Sequence, residues 1–133
     1  MSQENVEIAR RGYDAFNRGD FEAMVEDFAP DCEYVTAAVI TGVGSVYRGP
    51  DGYRRCIEGL FGDYDDARVE VHDLIEAEDR VLVSMTARGR GKQRGVETSW
   101  SVFQVWTLRD GKISRGQGYT RRDEALEAAG LRE

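Results

Sequence analysis

The sequence predicts an α+β domain whose elements follow the order ααβαββββα. Apolar residues recur at spacings of three and four near both ends of the chain, which is the pattern of one helix face. The second half instead contains long runs rich in β-branched residues, and an Asp-Gly pair joins the last two runs as in a tight hairpin. With 133 residues, of which 41% are hydrophobic, the chain is long enough to bury a core. We therefore expect residues 1–133 to form a single domain.

Two helices are predicted at the start, separated by the triplet Arg18-Gly19-Asp20. The apolar stripe of the first helix consists of Val6, Ala9, Tyr13 and Phe16, and that of the second consists of Phe21, Met24, Val25 and Phe28. Glycine favours a helix end because it adopts the left-handed conformation without strain, and aspartate caps the amide donors of a first turn. The triplet therefore indicates a break between two helices rather than a receptor-binding motif.

The middle of the chain is predicted to contain one short strand and a third helix. Ala-Pro-Asp after Phe28 indicates the end of the second helix, and residues 32–36 are predicted to form the strand. Pro50 suits the first turn of the third helix, whose apolar stripe is Tyr53, Ile57, Leu60 and Phe61. The segment 37–45 is unusually apolar for a loop, so it needs a surface on which to pack. We expect it either to close over a pocket or to contact a second subunit.

Four strands and a last helix complete the predicted order. The strands are expected over residues 68–76, 80–90, 96–108 and 112–119, with tight turns at Glu78-Asp79 and Asp110-Gly111. The helix is expected to begin at a capping box over 120–123 and to run to Ala129, with Gly130 after its end and Leu131 folding back.

The alternation within two of these strands predicts a sheet that is covered on both sides. Neither alternate face of strands 80–90 and 96–108 is cleanly polar. Three helices can cover one side of the sheet, and a second copy of the chain is the simplest cover for the other. The sequence therefore predicts a homodimer that forms through the outer face of the sheet.

Composition excludes several classes of function. A net charge of −7 argues against nucleic acid as a partner, because phosphates require a basic surface. The start of the chain is polar and no apolar run approaches 18 residues, so neither a signal peptide nor a membrane span is expected, and the cytoplasm is the expected location. One histidine and two isolated cysteines make no recognisable metal site, and no cofactor is expected. Cys32 and Cys56 are expected to be buried, reduced thiols.

Several motifs, taken in their order, resemble the SnoaL-like branch of the nuclear transport factor 2-like superfamily. They are Gly19-Asp20 between two helices, Pro-Asp before a strand, Tyr47-Arg48-Gly49 before a helix, then LRDGKI and EALEAAGL. The resemblance covers roughly residues 5–131. It implies a cone-shaped α+β fold, in which a curved antiparallel sheet wraps helices around a pocket at its open end. The superfamily includes ketosteroid isomerases, polyketide cyclases, epoxide hydrolases, dehydratases and non-catalytic binding domains, so the site has to decide the function.

The acid–base residues of the ketosteroid isomerases are not present at the matching positions. Counted without gaps, their general base falls on Thr36, and their oxyanion-binding tyrosine falls on Gly12, one residue before Tyr13. Threonine cannot act as a base near neutral pH, and glycine has no side chain that donates. The protonated aspartic acid of the isomerases falls on Gln104, whose amide can still donate to an oxyanion.

The other enzymes of the superfamily are matched no better. The cyclases use an aspartate at the end of the last strand, where this chain has residues 119–122 without a carboxylate before Asp123. The epoxide hydrolases use an arginine flanked by aspartates, and Arg88 has no such aspartate two residues along a strand. His72 is the one histidine of the chain and the remaining candidate for a general acid or base, and its position fits the solvent side as well as a pocket wall.

Strand alternation and the helix stripes together predict a ligand pocket. Its expected lining is Phe16, Tyr34, Thr36, Ile57, Thr86, Arg88, Trp100, Val102 and Gln104, and the candidate catalytic residues are Tyr34, Arg88, Gln104 and His72. We expect a domain that binds a small hydrophobic molecule in an apolar pocket. Two alternatives remain: an enzyme of isomerase, cyclase or hydrolase type that acts on such a molecule, and a structural dimer that serves as a partner module.

Overall fold

A computed structural model describes residues 2–37 and 45–131 of the chain. The helices are α1 (Ser2–Asn17), α2 (Phe21–Met24), α3 (Gly49–Phe61) and α4 (Arg122–Ala128). The strands are β1 (Phe28–Val35), β2 (Val46–Arg48), β3 (Tyr64–Ala77), β4 (Arg80–Gly91), β5 (Glu97–Arg109) and β6 (Lys112–Tyr119). The predicted α+β class is confirmed, and the predicted element order requires one addition, the short strand β2. Residues 38–44, which make up most of the expected lid or subunit contact, lie outside the described residues.

The six strands form one curved, open sheet in the order β2-β1-β6-β5-β4-β3. Neighbouring strands are antiparallel except for β1 and β6, which are parallel. Helix α1 packs against β3 and β4, and α3 packs against β1 and β2. We call the sheet face that α1 and α3 cover the inner face, and its opposite the outer face.

The break between α1 and α2 has the geometry that its sequence predicts. Gly19 adopts a left-handed φ of +76°, and the Asp20 carboxylate accepts a hydrogen bond of 3.1 Å from the backbone N–H of Ala23. Helix α2 is shorter than expected, since it ends at Met24, and the chain is already in β1 at Phe28. The prediction that the strand begins at residue 32 is therefore wrong, because pairing of Phe28 with Ile113 of β6 overrides the local helical pattern.

Both predicted tight turns are present, while the expected helix cap is not. Asp110 and Gly111 have φ angles of 54° and 76°, as a two-residue hairpin requires. Arg121, in extended conformation, precedes α4, and its guanidinium binds the Asp123 carboxylate at 2.8 Å, so the capping box predicted over 120–123 is wrong. The C-terminal end of α4 follows the prediction, with the Leu131 N–H donating to the Leu126 carbonyl at 2.8 Å.

Apolar residues cover both faces of the sheet, but the chain itself supplies much of the outer cover. The larger cluster lies on the inner face, against α1, α2 and α3. On the outer face, Leu82 and Val105 are buried beneath Ala125, Leu126 and Ala129 of α4 and its end. The alternation that predicted a covered outer face is thus partly explained by α4, and a second subunit is not required to shield Leu82 and Val105.

Cys32 and Cys56 are both buried, free thiols, as the sequence predicted. Burial raises the pKa of Cys56 to about 11, so its thiol is protonated at neutral pH and is a poor nucleophile. Within residues 2–37 and 45–131, no group of three or more His, Cys, Asp or Glu side chains is placed to hold a metal ion. None of the helices in those ranges is long and apolar enough to cross a membrane.

Candidate functional site

A cavity of about 110 Å³ lies between α1, α3 and the inner face of the sheet. Its walls are dominated by aromatic side chains, and these are Tyr13, Phe16, Phe28, Tyr34, Tyr53, Phe61, Trp100 and Trp106. Among the described lining residues, Gln104 carries the one polar side chain that is not aromatic, and no Asp, Glu, Lys, Arg, His or Cys is found. The described wall of the cavity is therefore uncharged.

Two glycines of β6 make room for the rings on the floor of the cavity. Gly116 and Gly118 pair with Trp106 and Gln104 of β5, so all four positions lie on the inner face. A Cβ atom at Gly116 would lie 2.2 Å from Cζ3 of Trp106, and one at Gly118 would lie 2.9 Å from the Tyr34 hydroxyl oxygen. The rings of Trp106 and Tyr34 thus occupy space that β6 side chains would otherwise fill.

A chain of buried hydrogen bonds crosses the floor. Nε1 of Trp106 donates to the Tyr13 hydroxyl at 2.7 Å, and this hydroxyl donates to Oε1 of Gln104 at 2.5 Å. Nε2 of Gln104 then donates to the Tyr34 hydroxyl at 2.8 Å. Gln104 is only 4% exposed, so these bonds replace the water that its amide loses on folding. We call Trp106, Tyr13, Gln104 and Tyr34 the floor network.

The phenols of the cavity are held in their neutral form. Burial raises the pKa of Tyr13 and of Tyr34 far above the ordinary value for tyrosine. Burial also raises the pKa of Tyr53, more than the hydrogen bond with Gln104 lowers it. At neutral pH these hydroxyls can donate or accept hydrogen bonds but cannot take a proton from a ligand.

Comparison with known proteins assigns the chain to a family. Residues 9–116 match the model of the SnoaL-like domain. The chain belongs to the SnoaL-like domain family. No curated protein sequence matches it significantly.

Solved structures share the fold over nearly the whole chain. TerC, co-crystallised with polyporic acid, is 25% identical with a TM-score of 0.76, over 96% of this chain and 98% of TerC. A nuclear transport factor 2-like protein of Burkholderia thailandensis E264 is also 25% identical, with a TM-score of 0.76, over 96% and 97%. An epoxide hydrolase of the LEH-like type from M. tuberculosis is 16% identical with a TM-score of 0.72, over 96% and 90%. The cone fold and the family that the sequence motifs implied are thereby confirmed.

Six of the nine residues expected to line a pocket in this SnoaL-like domain do line the cavity. They are Phe16, Tyr34, Ile57, Trp100, Val102 and Gln104. On β4 the expected inward residues are wrong, because Met85 pairs with Val102 and Ala87 pairs with Trp100. Met85 and Ala87 therefore face the cavity. Strand alternation then places Thr86 and Arg88 on the outer face.

The remaining candidates are likewise outside the cavity. Arg88 forms an ion pair with Glu70 at 2.9 Å on the outer face, and Nε2 of His72 contacts Oγ1 of Thr86 at 2.8 Å. Thr36 follows the end of β1, where its hydroxyl accepts a hydrogen bond from the backbone N–H of Ser45 at 2.8 Å. Neither His72 nor Thr36 belongs to the described cavity lining.

Sequence reasoning missed the contribution of Tyr13, Tyr53 and Trp106 to the site. The gap-free count from the isomerases falls on Gly12, whereas the neighbouring Tyr13 donates a hydrogen bond to Gln104. A usable signal was present in β6, since alternate glycines at 116 and 118 indicate that large side chains from neighbouring strands need that space.

Proposed function

We propose that this SnoaL-like domain binds a small, uncharged molecule with an aromatic or apolar body in the cavity on the inner face. The observation that carries the proposal is the described wall of the cavity, which is aromatic and has no ionised group at neutral pH. Burying a charged ligand there would cost its hydration without a compensating partner. An apolar cavity of about 150 Å³ is known to take up benzene, so the smaller cavity of about 110 Å³ limits the enclosed part of a ligand to about one ring.

The enzyme alternative, an isomerase, cyclase or hydrolase, finds no proton acceptor among the described residues of the cavity wall. Such reactions need a group that accepts a proton near neutral pH, and the described lining offers only neutral phenols, an indole and an amide. The co-crystallisation of TerC with polyporic acid supports binding of a small organic molecule within this fold. We therefore favour binding over catalysis, and absence of turnover of a β,γ-unsaturated ketosteroid by the purified domain is the expected result.

Thermal unfolding with toluene tests the binding proposal. Toluene should raise the melting temperature of the parent protein, because a ligand that binds only the folded state stabilises it. Ala87→Leu fills the cavity and should abolish this rise, whereas Thr86→Leu adds similar bulk to the outer face of the same strand and should preserve it. No toluene effect on the parent, or an equal effect on both variants, would show that the cavity is not the binding site.

We predict that Arg88→Ala and His72→Ala leave toluene binding unchanged. Both side chains are exposed on the outer face, where solvent screens the Arg88–Glu70 ion pair. Isothermal titration should give dissociation constants within twofold of that of the parent. If either substitution weakened toluene binding tenfold, that residue would again be a candidate for the binding site.

The homodimer through the outer face of the sheet stays a prediction. Beyond α4, this face carries the Glu70–Arg88 and Asp66–Arg90 ion pairs. Light scattering at micromolar concentration should give twice the mass of one chain, and the mass of one chain would exclude the dimer. Neither nucleic acid nor a membrane is expected as a partner, and the cytoplasm remains the predicted location.

A further inference from the structure

The direction of the hydrogen bonds in the floor network is fixed at one end by Trp106. An indole N–H can only donate, so the Tyr13 hydroxyl oxygen must accept at their contact of 2.7 Å. The Tyr13 proton is then available for Gln104. Oε1 of Gln104 lies at this contact, and a carbonyl oxygen can only accept, so it accepts the hydrogen bond from Tyr13. Gln104 therefore turns its carbonyl oxygen toward Tyr13.

This orientation of the amide determines which Gln104 atom faces the Tyr34 hydroxyl. The amide nitrogen must point toward Tyr34, and the distance of 2.8 Å fits an N–H···O bond. The Tyr34 hydroxyl oxygen thus accepts a hydrogen bond from Gln104, so the hydroxyl proton points away from Gln104. Among residues 2–37 and 45–131, none is recorded as accepting that proton, although Tyr34 is only 6% exposed and lines the cavity.

We propose that the Tyr34 hydroxyl donates its proton to a neutral oxygen acceptor of the bound ligand. The ligand class that fits is a small aromatic ketone or aldehyde, whose ring packs on the aromatic wall and whose carbonyl oxygen meets Tyr34. A carboxylate of the same size fits less well, because the described lining supplies no cation. This inference rests on the proposed function. It adds that the Tyr34 hydroxyl selects ligands that carry a neutral oxygen acceptor.

The position of the Tyr34 hydroxyl depends on the lack of a side chain at Gly118. A Cβ atom at that position would lie 2.9 Å from the Tyr34 hydroxyl oxygen, which is closer than such atoms normally approach. Gly118→Ala therefore displaces the hydroxyl without deleting any polar group. Tyr47→Phe is the matched control, since it removes a phenol hydroxyl from β2 next to Tyr34 in the sheet, and Tyr47 is not among the described lining residues of the cavity.

Titration with acetophenone and α-methylstyrene tests the inference. The two probes have nearly the same shape, and a carbonyl oxygen in one replaces a methylene group in the other. The ratio of their dissociation constants should shift against acetophenone in Tyr34→Phe by roughly 2- to 12-fold, the effect of one net hydrogen bond. Gly118→Ala should shift the ratio in the same direction, and Tyr47→Phe should leave it unchanged.

Three outcomes separate this inference from the proposed function. If no probe binds the folded parent protein, the proposed function is wrong and the inference falls with it. If both probes bind and Tyr34→Phe and Gly118→Ala keep the parent ratio, only the inference is wrong. An equal shift in Tyr47→Phe would also overturn it, because the selectivity would then not belong to Tyr34. If Tyr34→Phe does not fold, the Gly118→Ala ratio decides alone.

Discussion

Gly116→Ala should destabilise the folded protein by about 3 kcal/mol or more, the upper end of overpacking effects. The added Cβ would lie 2.2 Å and 2.3 Å from two carbons of the Trp106 ring and 2.9 Å from Cδ1 of Tyr34. Trp106 is 3% exposed and is held by neighbouring rings, so it has little space into which to move. Urea denaturation followed by circular dichroism measures this loss of unfolding free energy. In thermal denaturation the same loss should lower the melting temperature by roughly 10 °C.

Gly59→Ala is the control for this substitution. Gly59 lies in α3, and a Cβ atom there would meet no atom within 4 Å. Replacing glycine with alanine inside a helix is expected to stabilise it by up to about 1 kcal/mol. If Gly116→Ala were as stable as the parent, the rings on the floor would have to be packed differently from the arrangement described above.

Gln104→Ala should cost about 3–5 kcal/mol, the second large effect that we expect. The substitution deletes the acceptor for the Tyr13 hydroxyl and the donor for the Tyr34 hydroxyl, and both phenols stay buried. Each buried polar group that loses its partner costs about 1–3 kcal/mol, and the space left by the side chain adds to this. Chemical denaturation of the variant and the parent measures the difference.

Gln117→Ala provides the matched comparison on β6. Gln117 pairs with Val105 on the outer face and is partly exposed, so its loss should change the free energy of unfolding by no more than about 0.5 kcal/mol. Equal effects of the two substitutions would mean that the floor network contributes little to stability. A stable Gln104→Ala variant would also remove the basis for fixing the orientation of Tyr34.

The accuracy of sequence prediction for the candidate site differed from strand to strand. Trp100, Val102 and Gln104 on β5 face the cavity as expected. On β4 the same parity predicts that Thr86 and Arg88 face inward, but the pairing of the strands sets Ala87 opposite Trp100. A shift of one residue reverses every side chain of a strand, so one wrong pairing moved a candidate cation from solvent to the pocket.

The sequence by itself determined the features that depend on neighbouring residues. Gly19 and Asp20 break a helix, and Asp110-Gly111 forms a hairpin, because φ preferences and capping act within a few residues. The order of such local signals was also sufficient to indicate the SnoaL-like family. Only the tertiary structure decided that Phe28 joins a strand, that α4 covers the outer face, and that Tyr13 and Gln104 meet across 91 positions of sequence. These features depend on strand register and on the space left by Gly116 and Gly118, which are set by contacts between residues far apart in the chain.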